Sequence, residues 1–513
     1  MSWKPEADEI EKRRRLADQQ GGAEAVGRQH AKGRLTIRER IAALLDEGSF
    51  EEVGAGAGAT GENAEPEDFT PANFVLGFGK IDGRRCVVGG EDFTLKGGSP
   101  SQAGLRKSVY TEELACQYRL PLIRLHEGAG GSVGGAGGNT MSAPVYSAPR
   151  FQSVARALAS VPVATAALGP VAGLPAARLV AAHFSVMARE SAQVMIAGPA
   201  VVQRALGESV SKEELGGAQV HTANGVVDNA GDDEADALRQ IRAFLSYLPA
   251  NVWELPPVSE TADEPDRRAQ ELLEIVPRDR RKAFDMRRVL SLVLDEATFF
   301  EMGAGYGRSQ ITGLARLNGQ PVGVWANDGR YLAGAMTANG AHKARRFIEL
   351  CETFHLPILS FIDEPGFMIG SKAEREATIR HGTNAVLTSA MSRVPWACVM
   401  VRRSFGVAQV AHYGPDAYVL AWPSAESGAL PVEGGVAVAY GREIAAAPDP
   451  DARRRELEEE MAARNSPFPR AEAFGVHELI DPRDTRPMLV RWVERIQPLL
   501  PPLLGPSAFT ARP

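Results

Sequence analysis

The chain has 513 residues, 44% hydrophobic and 24% charged, with a formal net charge of −7. That length exceeds one ordinary hydrophobic core, so a folded protein of two or more domains is expected, and a disordered chain is excluded. The acidic balance argues against wholesale nucleic-acid binding, and the four cysteines form no C-x-x-C pair that would suggest a zinc site or disulfide framework.

Met1 to Arg15 mixes acidic and basic residues around no apolar core, so it does not read as a signal peptide. A reducing, cytoplasmic setting is expected. A charged amphipathic helix, Ile37 to Leu45, leads toward the cluster Gly54-Ala55-Gly56. The pattern Gly56-x-Gly58-x-x-Gly61 fits a dinucleotide fingerprint, but Glu62 to Pro66 follows where a helix should begin. Asp82-Gly83 signals a hairpin. A helix from about Lys107 to Tyr118 stops before Leu120-Pro121, and an apolar strand runs into Glu127-Gly128-Ala129-Gly130-Gly131.

Gly130-Gly131-Ser132-Val133-Gly134 matches the nucleophile-elbow pattern, which keeps a Ser132 hydrolase in view, yet more glycines replace the expected helix. The uncharged run Ala157 to Ala177 is interrupted by Pro162, Pro170 and Pro175, so it reads as strand, turn and helix start and not as a membrane span. None of the nine histidines has metal-ligand spacing. His221 and His381 are the ones worth locating.

The later chain echoes the earlier one. Leu45-Asp46-Glu47, then Gly54, returns as Leu294-Asp295-Glu296, then Gly303, at an offset of 249. An offset of 236 carries Asp82-Gly83 onto Asn318-Gly319, Lys107 onto Lys343, Glu127 onto Asp363 and Gly130 onto Gly366. An offset of 233 pairs Val161-Pro162 with Val394-Pro395, and Gly173 with Gly406. Such an ordered series implies two homologous α/β domains, 1–255 and 286–513, with the Pro- and charge-rich segment 256–285 as a linker.

In both halves apolar strands end in glycine turns: Gly128 to Gly131 and Gly173 in the first, Gly366-Phe367 and Gly406 in the second. Glycine admits positive φ and close backbone approach to a ligand. Where a helix starts beside it, free N–H groups can form an oxyanion hole of the kind that stabilises a thioester enolate.

Longer pieces of sequence resemble the carboxyltransferase (β) subunits of propionyl-CoA, methylcrotonyl-CoA and related biotin-dependent acyl-CoA carboxylases. They are Gly33-Arg34-Leu35-Thr36-Ile37-Arg38-Glu39-Arg40, Glu91-Asp92-Phe93-Thr94 with Gly97-Gly98-Ser99, and Lys212-Glu213-Glu214-Leu215-Gly216-Gly217-Ala218 with His221-Thr222. The second half adds Asp363-Glu364-Pro365-Gly366-Phe367, Ile379-Arg380-His381-Gly382 and Ala421-Trp422-Pro423-Ser424-Ala425-Glu426.

The resemblance implies two crotonase-like β-β-α domains, acyl-CoA mainly on the first and biotin mainly on the second, and a homo-hexamer in which unlike domains of neighbouring protomers face each other. It implies transfer of CO2 from carboxybiotin to an acyl-CoA enolate, with Gly173 and Leu174 donating to the thioester oxygen and Val407 and Ala408 to the ureido oxygen of biotin. Gly130, Gly131, Gly366, Phe367 and Gly406 are expected to bind the substrates at these turns. Arg106 and Lys107 are expected either at CoA phosphates or on an ordinary solvated helix face. The family's paired glycines read Gly173-Leu174 here, and its second-half turn reads Phe405-Gly406-Val407-Ala408. Val410 stands near an acidic position of propionyl-type members, which points to an apolar or longer acyl group. The sequence shows no Met-Lys-Met biotinylation site and no ATP-grasp character, so biotin is expected on a partner, a biotin carboxylase or biotin carboxyl carrier chain. Other readings are a biotin-linked decarboxylase or transcarboxylase and a non-catalytic scaffold paralogue. No membrane or nucleic-acid partner is expected.

Overall fold

The structure, a computed structural model, describes residues 2–60, 69–130 and 151–508. Two compact units divide it: Met1–Glu254 with the C-terminal residues from Gly505, and Leu255–Leu504.

The first unit is built on an eight-stranded sheet. Its strands are β1 (Glu51–Glu52), β2 (Phe74–Ile81), β3 (Arg84–Glu91), β4 (Leu122–Gly128), β5 (Val163–Ala172), β6 (Phe184–Ala188), β7 (Gln193–Met195) and β8 (Asn229–Gly231). The order is β1-β2-β3-β4-β5-β6-β8, with β7 pairing beside β6 on β5. The first two pairings are antiparallel and the rest parallel.

The second unit repeats this plan. Its strands are β9 (Phe300–Met302), β10 (Gln310–Leu317), β11 (Gln320–Asn327), β12 (Ile358–Glu364), β13 (Trp396–Phe405), β14 (Tyr418–Ala421), β15 (Glu426–Gly428) and β16 (Glu478–Leu479). They run β9-β10-β11-β12-β13-β14-β16, with β15 on β13. The two units thus share one α/β plan, as the internal repeat predicts, and agree with the paired crotonase-like domains that the resemblance implies.

Most of the repeated residues have a structural reason to be repeated. Each β-hairpin turns through two positive-φ residues, Asp82 and Gly83 at 50° and 76°, and Asn318 and Gly319 at 51° and 76°. Asp46 accepts both turn N–H groups at 3.0 and 2.8 Å, and Asp295 does the same at 2.9 and 2.7 Å. The Leu-Asp-Glu echo is therefore a hairpin clamp. The helices after the hairpins span Gln102–Tyr118 and Ala338–Thr353, starting earlier than Lys107 and Lys343 because Ser101 and Thr337 cap them by accepting the N–H groups of Gly104 and Gly340.

The apolar faces bury as the strand pattern requires. Phe74, Leu76, Val87, Leu122 and Val163 share a core in the first unit, and Val289, Val322, Leu359, Trp422 and Val493 share one in the second. Each fully buried side chain of this size contributes about 1.5–3 kcal/mol over exposure. The segment 256–285 is part of the second unit and not a free linker: Leu272 and Phe284 sit in its core, and the Ser259 N–H donates to the Gly319 carbonyl at 3.0 Å. Its polar composition conceals these two anchors. The C-terminal residues turn back to the first unit, where the Gly505 N–H donates to the Val252 carbonyl at 2.8 Å.

Candidate active site

In the first unit β5 delivers the chain to Gly173, whose φ of 66° and ψ of −126° belong to glycine alone. A Cβ there would also come within 3.1 Å of the Gly130 Cα, so the turns after β4 and β5 touch backbone to backbone. The Gly173 N–H is already engaged, donating to the Met195 carbonyl on β7 at 3.3 Å. The donor this turn can offer is therefore the N–H of Leu174. Leu174 opens the helix Leu174–Val180, where a first-turn N–H has no helical acceptor, and Pro175 after it has no N–H. Gly173 positions that donor and does not itself supply one.

The second unit reproduces the device. Gly406 follows β13 with φ of 64°, and its N–H donates to the Gly428 carbonyl on β15 at 3.1 Å. Val407 and Ala408 then begin the 3-10 turn Ala408–His412, which leaves their N–H groups as the donors. Val407 is 60% exposed and Val410 47%, whereas the Ala408 methyl is buried. A pair of backbone donors rimmed by exposed valines can hold an oxygen acceptor. Gly366, at φ 127°, lies beside this turn: a Cβ on it would sit 3.9 Å from the Phe405 carbonyl. Phe367 bridges to Met336, and its ring lies against Gly382, where any Cβ would overlap it.

The acidic residues at the strand ends are not free bases. Glu127 accepts from Arg34 and Arg40, both at 2.6 Å, and from Gln29 at 2.5 Å, while Arg40 also grips Glu234. Asp363 is held by Arg402 and Arg403, with contacts of 2.7 to 3.1 Å. Burial pushes the Asp363 carboxyl up, but hydrogen bonds and charge from the two guanidinium groups outweigh it and hold it below its usual range. These pairs fix the strand ends from which the glycine turns start.

Lys107 is turned inward. Its Nζ donates to the Gly54 carbonyl at 3.1 Å with Glu52 at 3.7 Å, and Lys343 likewise donates to the Gly303, Tyr306 and Gln310 carbonyls. The matched lysines pin the matched glycine clusters, so Lys107 is not available to a phosphate. Burial lowers its affinity for a proton. Arg106 remains at the surface, 3.3 Å from Glu113 and over the ring of Tyr110. Gly131 and Ser132 lie outside the described residues. His221 Nε2 donates to the Val194 carbonyl at 2.6 Å, and His381 pairs with His342 at 2.6 Å. Among the described residues no group of three or more His, Cys, Asp or Glu could hold a metal ion.

Sequence reasoning missed Met195 and Gly428, which share the offset of 233 that relates Gly173 to Gly406. Their contribution is a carbonyl, so side-chain identity carries no trace of it. It also missed the buried pair of Glu91 and His126, 3.1 Å apart, with Glu91 packed against Gly98 and Gly128 below the first turn.

Residues 28–495 match the carboxyl transferase domain family. The chain is 36% identical to the propionyl-CoA carboxylase carboxyltransferase subunit of Haloferax mediterranei, over 96% of each chain. It is 32% identical to the methylmalonyl-CoA decarboxylase subunit alpha of Veillonella parvula, over 92% of this chain and 91% of that one. Its fold matches the transcarboxylase 12S structure, a hexamer with methylmalonyl-CoA and methylmalonic acid bound, at a TM-score of 0.87 and 31% identity, covering 97% of this chain and 96% of that one. With two matched glycine turns and a family match over most of its length, the chain belongs to the carboxyl transferase domain family and is a biotin-dependent acyl-CoA carboxyltransferase.

Proposed function

We propose that this carboxyltransferase holds an acyl-CoA thioester at the Gly173-Leu174 turn and the ureido ring of biotin at the Gly406-Val407-Ala408 turn. The observation that carries the reading is the paired construction of the turns: each glycine gives its own N–H to a neighbouring strand, and the next residues' N–H groups find no backbone acceptor among the described residues. When bound, carboxybiotin would supply the CO2, and the biotin anion left by its departure would take the α-proton of the thioester. The chain itself provides oriented dipoles. The Leu174 N–H stabilises the oxygen on which enolate charge develops, and one such donor is worth about 3 kcal/mol in the transition state. Val407 and Ala408 hold the opposing acceptor by backbone alone, so their apolar side chains do not interfere. Gly130 lets the adjoining strand approach, and Gly366 and Phe367 shape the second turn.

Arg106, exposed at the start of the helix Gln102–Tyr118, is the remaining candidate for the CoA phosphates. Exposed Val410 favours an apolar or longer acyl group. A homo-hexamer is supported by the transcarboxylase 12S assembly, and the biotin would arrive on a biotin carboxylase or carrier partner chain. Four unpaired cysteines and no helix among the described residues long and apolar enough to cross a membrane support a cytoplasmic location. The carboxylase subunit at 36% identity favours carboxylation over the decarboxylase direction.

The test is the reverse half-reaction. Purified protein with free biotin and malonyl-, methylmalonyl-, methylglutaconyl- and longer carboxyacyl-CoA should release one acyl-CoA in a biotin-dependent way, followed by mass spectrometry. Biotin-independent release, or none from a folded oligomer, would overturn the reading.

A further inference from the structure

The second unit contains a cavity of about 320 Å³ whose lining includes Arg402, Ser424, Glu426 and Ser466 and takes no part in the glycine turns. Leu272, Val276, Trp422 and Pro467 give it apolar walls, and Arg278 and Arg280 give it cations. The size falls at the lower end of small-molecule sites, about 300–1,000 Å³, and polar and apolar groups share the lining about evenly.

The cations are not equivalent. Arg402 is satisfied by Asp363 and the Lys282 carbonyl. Arg280 is not: its Nη1 is buried without a hydrogen-bond partner, and the nearest carboxylate oxygen, on Glu426, stands 3.9 Å away. A buried guanidinium nitrogen left without an acceptor costs free energy and calls for one. Burial raises the pKa of Glu426 more than Arg280 lowers it, which weakens its repulsion of an incoming anion.

We infer that this cavity is a binding site for a small molecule with a carboxylate or phosphate group on an apolar body, the anionic group received by Arg280. Glu426 and Gly428 lie at the two ends of the three-residue strand β15, and the Gly428 carbonyl holds the Gly406 N–H. Occupancy therefore bears on the second glycine turn. That second step rests on the carboxyl-transfer reading; binding does not.

Isothermal titration calorimetry of the full chain with phenyl phosphate and with benzoate, at fixed ionic strength, tests the site and separates the two anion chemistries. Inorganic phosphate serves as the probe without an apolar body. Saturable binding of at least one aromatic anion is expected, tenfold or more weaker in Arg280→Gln and within twofold in Arg280→Lys, with inorganic phosphate weaker than phenyl phosphate. Absence of saturable binding by both aromatic anions overturns the site. Equal affinity in wild type and Arg280→Gln also overturns it, and the Lys variant controls for folding. A reverse carboxyl-transfer rate unchanged at saturation would refute the link to Gly406 while leaving the binding site standing.

Discussion

Replacing Gly173 by alanine tests the central geometry. The added methyl meets two penalties at once: a φ of 66° with ψ of −126°, and a contact of 3.1 Å with the Gly130 Cα. Conformations of this kind cost a non-glycine residue about 1–3 kcal/mol, so the turn should relax away from its present course. The relaxation moves the Leu174 N–H, and losing one oxyanion donor costs about 3 kcal/mol, or a factor on the order of 10² in kcat. Steady-state kinetics of the reverse half-reaction should show kcat down by roughly that factor and KM little changed. Melting should fall by several degrees, at roughly 2–4 °C for each kcal/mol in a unit of this size. Leu174→Ala keeps the N–H and should stay within a few-fold of wild type. A Gly173→Ala enzyme with unaltered kcat, or a Leu174→Ala enzyme as impaired as Gly173→Ala, would refute the assignment of the donor to the backbone.

Lys343→Met removes three hydrogen bonds to carbonyls, whereas Lys107→Met removes one, so thermal unfolding should show the larger loss for Lys343→Met. Neither change should raise KM for the CoA thioester in the manner of a lost phosphate contact. Arg106→Ala should raise that KM several-fold with kcat and melting temperature nearly unchanged; an unchanged KM would remove Arg106 from the CoA site. Asp363→Asn leaves two arginines facing an uncharged amide and should destabilise by about 3–5 kcal/mol in urea unfolding at neutral pH. Because the folded pKa of Asp363 lies below its ordinary 3.8, that stability is present in full above this value and fades as pH falls through the folded one. The wild-type and Asp363→Asn curves should therefore converge only in acid.

The sequence by itself determined the repeat, the two α/β units and their strand-turn grammar, because hydrophobic periodicity and turn chemistry act over a few residues. Asp82-Gly83 and Asn318-Gly319 announce their hairpins, and Gly173 and Gly406 mark turns where the backbone takes positive φ. What the sequence could not decide is which N–H groups remain free. Only the tertiary structure shows that the Met195 and Gly428 carbonyls take the N–H groups of Gly173 and Gly406. Lys107 is the same lesson in a side chain: on a helix surface it could reach a phosphate, but the fold buries the lysine and brings the Gly54 carbonyl to its ammonium. Leu272 and Phe284 likewise look like stray apolar residues in a polar stretch until the second core closes over them. Local pattern sets where the chain turns; hydrogen-bond partners distant in sequence set which groups are left over for chemistry.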